Sequence, residues 1–397
     1  MSSDLPAFLE LSYDYGPRPL YGMGTHVTAV AHALASLGCD VTVTTRNNAD
    51  LDVDTYDAPR LRVLRCDADF DREVLREGRQ HHSIGLLAGQ LAFCRAMYER
   101  LLRADLRVDV VHNHSYATTP LAIELAELWG VPLISTVHVQ DSMLERAQRR
   151  SRPRSTDRHV VRLLEAEGLK RSEAIVAPTA AVADAIRADY PECAERVHIL
   201  PHPRPDSAPE KRDYRPHQPF RLLYVGRLIP YKGVRELFEA VRLLSDEAIE
   251  LWVVGWGVQK DELRAFADRH RLPVRWLGHR PHEEVLQLYT EVDALLVPSA
   301  AESYGLVLQE GLQAGLPVVA TEIEPFTGRV DDGHNGLLVP VRSSADGTRV
   351  DVSALTDAVR RLLHDHGLRR TLGENARLRA QESSLGEEYA KLLCALV

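Results

Sequence analysis

Short, continuous apolar runs alternate along this chain with longer stretches whose apolar residues recur three and four positions apart. The runs at 7–11, 40–45, 108–112, 131–138, 174–177 and 197–200 read as strands in the first half. Those at 221–226, 251–255, 274–278, 294–299, 317–321 and 336–341 read as strands in the second. A run that is apolar at consecutive positions suits a strand covered on both faces, as in a parallel sheet. Val27, Val30, Ala31, Leu34 and Leu37 have helical spacing, and helices are also predicted over 84–102, 117–128, 180–190, 234–244, 352–367 and 368–381, with others beginning at Glu283 and near Gly305. Strand and helix in alternation predict an α/β fold: two doubly wound, parallel-sheet, Rossmann-like domains facing each other across a cleft. The charged, proline-rich stretch 204–219 reads as a linker. The predicted boundaries are therefore 1–203 and 220–380, with 381–397 crossing back to the first domain.

In such sheets ligands gather outside the carboxyl ends of the strands, and those ends carry the polar signals here. After the first strand come Gly22 and Gly24, where a glycine loop opening a helix suits a phosphate and an ordinary tight turn fits equally. His112-Asn113-His114 ends one strand, and His138 ends the next. In the second half Gly226-Arg227-Leu228-Ile229-Pro230-Tyr231-Lys232-Gly233 places two cations five apart between a strand and a helix, within reach of one diphosphate. A later strand closes in Gly255-Trp256-Gly257, and another in His279-Arg280-Pro281.

The stretch Glu302-Ser303-Tyr304-Gly305-Leu306-Val307-Leu308-Gln309-Glu310 sets two carboxylates eight apart around a helix start. The N–H groups of Leu306 and Val307 would be open to an anion, and Glu310 could accept hydrogen bonds from a ribose diol. Spacing alone also fits two acids on an exposed helix face.

Glu302 to Glu310 resembles the Glu-x7-Glu signature of retaining glycosyltransferases of the GT-B fold, in the family 4 class, and the string 226–233 resembles that family's diphosphate motif. The resemblance covers nearly the whole chain and is strongest over 221–340. It implies a nucleoside-diphosphate sugar as donor, UDP before GDP, and transfer to a hydroxyl of a small polar or phosphorylated acceptor. It implies catalytic roles for His138, Arg227, Lys232 and Glu302, and donor contacts for Gly22, Gly24, Gly226, Gly255, Arg280, Tyr304, Gly305, Leu306, Val307 and Glu310. No metal and no cofactor are expected. Two places depart from the family pattern: Pro201-His202-Pro203 replaces an Asn-Gly turn, and 322–329 lacks a glycine pair.

Composition narrows the classes. A formal net charge of −9 excludes a general nucleic-acid binder, which needs a basic footprint. Seven arginines lie within 145–162; this is either a solvated face or, through Arg154 and Arg158, a seat for an anionic acceptor, with membrane contact at most peripheral. Asp67-Ala68-Asp69 reads as a solvated acidic loop rather than a metal-binding pair. The five cysteines are scattered without a Cys-x-x-Cys pair, and the opening residues carry no signal-peptide pattern, so a cytoplasmic protein is expected. A sugar-nucleotide epimerase and a non-catalytic sugar-nucleotide binder are the alternatives. A dinucleotide-dependent dehydrogenase would need glycine where Lys260 stands.

Overall fold

The computed structural model describes residues 5–16, 22–47, 51–66, 83–138, 156–203, 209–344, 347–381 and 386–397. The chain divides into two compact units: one of 1–141, 153–205 and 384–397, the other of 142–152 and 206–383.

The first unit runs β1 (Phe8–Leu11), α1 (Gly22–Leu37), β2 (Val41–Arg46), β3 (Asp54–Ala58), β4 (Leu61–Cys66), α2 (Ser83–Arg103), β5 (Val110–Asn113), α3 (Thr119–Trp129), β6 (Leu133–Thr136), α4 (Thr156–Arg171), β7 (Ala174–Ala177), α5 (Ala180–Asp189) and β8 (Val197–Ile199). Its sheet has the order β3-β4-β2-β1-β5-β6-β7-β8, parallel except for β3 against β4. From β1 the chain winds to one side through β2 and β4, then returns to build β5 to β8 on the other. The carboxyl ends of β1 and β5 therefore flank the point where the winding reverses, the usual ligand crevice of such sheets.

The second unit runs β9 (Phe220–Val225), α6 (Val234–Leu243), β10 (Ile249–Val254), α7 (Lys260–His270), β11 (Val274–Gly278), α8 (His282–Glu291), β12 (Ala294–Val297), α9 (Leu306–Gln313), β13 (Val318–Thr321), β14 (Leu337–Val339), β15 (Val341–Ser344), β16 (Gly347–Val350), α10 (Val352–His364) and α11 (His366–Ala380). Its main sheet, β11-β10-β9-β12-β13-β14, is all parallel. Here the winding reverses between β9 and β12. The last helix, α12 (Gly386–Cys394), belongs to the first unit, where Tyr389, Ala390 and Leu393 join the core with Val30, Ala33 and Leu34 of α1.

The strands form because their side chains fill two-sided cores. Leu222, Tyr224, Leu251, Val253, Leu296 and Val319 pack on one face with Val234, Leu237, Phe238 and Val241 of α6. Leu223, Leu295, Val297 and Val318 pack on the other with Leu308 and Leu312 of α9. Fully burying a side chain of this size stabilises by about 1.5–3 kcal/mol, so the sites at the strand ends rest on rigid supports. Among the described residues, no helix is long and apolar enough to cross a membrane.

Candidate active site

Both loops that flank the β9/β12 reversal carry charged residues named from the sequence. The first, leaving β9, is folded over tyrosines. The Tyr224 hydroxyl donates to the Arg227 carbonyl at 2.8 Å, and the Arg227 guanidinium donates to the Tyr231 hydroxyl. Tyr231 is buried, and its carbonyl accepts the Ala300 N–H at 2.8 Å, which ties this loop to the one leaving β12. Gly233 caps the start of α6 at φ 65°, and a Cβ there would lie 1.8 Å from the Pro298 carbonyl oxygen. Only glycine lets the two loops approach this closely.

Lys232 consequently reaches across and donates to the Glu302 carboxylate, each side chain 17% exposed. Gly305, at φ 81°, turns the chain into α9, and its missing side chain makes room for the Phe326 ring. No side chain caps α9, so the N–H groups of Leu306 and Val307 lie at a helix start carrying positive partial charge. Tyr304, just before the turn, is buried; the Arg329 guanidinium lies 4.3 Å from its ring centroid and donates to its carbonyl.

Glu310, inside α9, is buried, and both of its oxygens are engaged. Oε1 is 2.7 Å from His282 Nε2, and Oε2 accepts the Tyr289 hydroxyl at 2.7 Å. A carboxylate oxygen has two acceptor positions, so each retains one for a further donor. Burial works against a charged His282, but the bond to Glu310 and its charge outweigh that and raise the imidazole above its ordinary range.

The glycines at the strand ends bring backbones together. Gly226 N–H donates to Val254 at 3.0 Å, Gly255 N–H donates to Gly278 at 2.8 Å, and a Cβ on Gly255 would lie 1.9 Å from the Gly226 carbonyl oxygen. Arg280 is exposed and turned onto the protein itself, donating to the Leu277 carbonyl at 3.0 Å and to Glu284 at 3.1 Å.

In the first unit the structure corrects one expectation. Gly22 and Gly24 do not form a loop ahead of the helix but lie in the first turn of α1, with the Gly24 carbonyl accepting the Thr28 hydroxyl at 2.8 Å. His138 follows β6 and belongs to a cluster at the β1/β5 reversal. Glu10 of β1 faces His112 of β5 in register. Its carboxylate lies 2.9 Å from His112 Nδ1 and 2.6 Å from His114 Nε2, while His114 Nδ1 is 3.2 Å from His138 Nε2. The His26 ring lies 4.9 Å from that of His138 and 3.9 Å from that of His202. Burial would raise the Glu10 pKa, yet His112 and His114 hold it at about 2. Burial and His112 push His114 down to about 4, and burial with the surrounding imidazoles keeps His26 and His138 well below the usual range. Two ligand sets of the kind that hold metals are present among the described residues: His26, His114 and His138, and Glu10, His112 and His114.

Arg154 and Asp67-Ala68-Asp69 lie outside the described residues, as does the side chain of Arg158. Residues that sequence reasoning left without a role include Tyr231, His282, Tyr289, Arg329, Glu10, His26 and His202. The alternation His112-x-His114 at a strand end was the one signal for the cluster. His202 stands where the expected Asn-Gly turn is replaced.

Residues 21–203 match the family described as "Glycosyl transferase 4-like domain", and residues 208–379 match "Glycosyl transferases group 1". The chain is 28% identical over 373 residues to a glycogen synthase of Mycobacterium tuberculosis (strain ATCC 25618 / H37Rv), covering 90% of this chain and 86% of that one. It is 30% identical over 379 residues to a D-inositol 3-phosphate glycosyltransferase of Corynebacterium jeikeium (strain K411), covering 89% and 86%. Among solved structures, the sucrose-phosphate synthase of Thermosynechococcus elongatus superposes with a TM-score of 0.76 at 20% identity over 98% of each chain.

Proposed function

Because this chain belongs to the family 4 class of GT-B glycosyltransferases, we propose that it is a retaining enzyme whose second unit binds a nucleoside-diphosphate sugar, UDP-linked in first preference. The observation that carries the reading is the meeting of Lys232 and Glu302 beside Arg227 and the uncapped start of α9.

The chemistry follows from charge. Breaking the bond between sugar and phosphate leaves new negative charge on the diphosphate while the sugar becomes cation-like. Arg227, Lys232 and the N–H groups of Leu306 and Val307 receive that charge, and donors held in place beforehand contribute a few kcal/mol each. Their fixed positive charge takes the part a divalent ion plays elsewhere, so the proposed transfer has no metal step. Glu310 accepts the ribose hydroxyls on its remaining lone pairs. By the family resemblance, Glu302 orients the donor sugar. The acceptor hydroxyl attacks from the face the diphosphate leaves, with a phosphate oxygen taking its proton, and the anomeric configuration is kept.

For the acceptor, the D-inositol 3-phosphate named for one relative supports a small phosphorylated polyol. The test is a transfer assay with UDP-, GDP- and ADP-sugars, D-inositol 3-phosphate and EDTA, with NMR of the product anomeric proton. A new glycoside with the donor's configuration is expected. An inverted product, a rearranged free sugar, or binding without turnover would contradict the reading.

A further inference from the structure

The histidine cluster contains more ligand chemistry than orientation of a sugar requires. His26 is 1% exposed, and neither of its ring nitrogens has a hydrogen-bond partner among the described residues. A buried, unsatisfied imidazole is costly and calls for a specific reason. Its ring faces those of His114, His138 and His202.

We propose that His26, His114 and His138 form a site for one divalent transition-metal ion of the zinc type. The ligand nitrogens of this set all lie within 4.8 Å of one another. A tetrahedral zinc ion, with bonds of about 2.0–2.1 Å, sets its ligand nitrogens about 3.4 Å apart. His114 Nδ1 and His138 Nε2 stand 3.2 Å apart already, and His26 closes the site by moving roughly an ångström.

Glu10 prepares the site. By accepting the proton of His114 Nε2 it fixes the tautomer that turns the Nδ1 lone pair toward His138. Carboxylate, histidine and metal in series are a common supporting arrangement. His26 and His114 are buried and His138 is partly exposed, so His138 is the ligand nearest solvent. Three nitrogen ligands select zinc, cobalt, nickel or copper over magnesium and calcium. Ion binding by this cluster does not rest on the transferase reading.

The test uses the full chain, stripped with EDTA and desalted, with no nucleotide present. Zinc is titrated against a chromophoric chelator, and cobalt binding is followed by visible absorption. The expected results are one tight zinc equivalent, an intense four-coordinate cobalt spectrum, and at least about a tenfold loss of zinc affinity in His26→Gln. Equal affinity in His26→Gln, meaning an adventitious ion only, overturns the proposal. So does a pale six-coordinate cobalt spectrum on the wild-type chain, a readout that stands even if the variant does not fold. Nucleoside diphosphate titrated in parallel separates this failure from failure of the transferase reading, since the proposed nucleotide site contains none of these histidines.

Discussion

Lys232 and Glu302, seventy residues apart, form an ion pair between the loops that leave β9 and β12. Two central strands of one parallel sheet thus end in opposite charges across the point where the winding reverses. A diphosphate arriving there competes with Glu302 for the ammonium group.

Glu302→Gln therefore separates binding from turnover. With the carboxylate neutralised, Lys232 is free for phosphate, and nucleoside diphosphate binds as tightly as to wild type or more so. Turnover falls by at least about tenfold, because the negative charge facing the sugar is gone. Calorimetric titration with UDP and steady-state transfer rates read the two effects. Weaker binding in Glu302→Gln would contradict the competition.

Glu310→Ala removes the proposed ribose acceptor and two internal bonds at once. Nucleoside diphosphate affinity is expected to fall at least about tenfold, and stability by about 1–3 kcal/mol, because the buried Tyr289 hydroxyl loses its partner. Tyr289→Phe, which leaves Glu310 in place, should bind nucleotide nearly as the wild type does. Chemical denaturation and titration of both variants check this, and equal losses of affinity in the two would argue against a ribose role for Glu310.

The His282–Glu310 pair makes the second unit sensitive to pH. Glu310, Tyr289 and Glu283 are the titratable groups around His282, and the net effect is a raised imidazole pKa. A histidine that binds its proton more tightly when folded stabilises fully below its unfolded value, near 6.5, and loses that contribution as pH rises through the raised folded value. The slope is at most about 1.4 kcal/mol per pH unit. Denaturation midpoints of wild type should fall above pH 6.5 more steeply than those of His282→Gln. Parallel profiles would contradict the pairing.

Most of the parallel strands were legible because strands such as Leu222–Leu223 and Leu295–Leu296 are apolar on both faces. The β3–β4 pairing was not. Asp54, Thr55, Tyr56 and Asp57 carry no buried apolar face; β3 is held by Arg62 donating to Asp54 at 2.9 and 2.7 Å and by Arg65 donating to Thr55 at 2.6 Å. The β15–β16 hairpin escaped because it is short and mostly polar, and helix α7 because its buried Leu263, Phe266 and Ala267 stand among charged residues. In the candidate site, Arg227, Lys232, Glu302 and Glu310 stood out because each lies within a short local string. The partners that fix them did not: Tyr231, Tyr289 and His282 reach the site through the fold, and no motif marks them. The histidine cluster draws on positions from Glu10 to His202, so proximity across the sheet creates it, and His112-x-His114 is its one local sign.

The proposed function requires that the second unit hold a nucleoside diphosphate through Lys232 and its neighbours. Calorimetric titration of wild type and Lys232→Ala with UDP, GDP and ADP, using NAD as control, tests it most directly. One nucleoside diphosphate is expected to bind wild type at a single site, UDP before the others, and Lys232→Ala to weaken it at least about tenfold while remaining folded. Binding of NAD alone, or equal affinity in the two proteins, would contradict it.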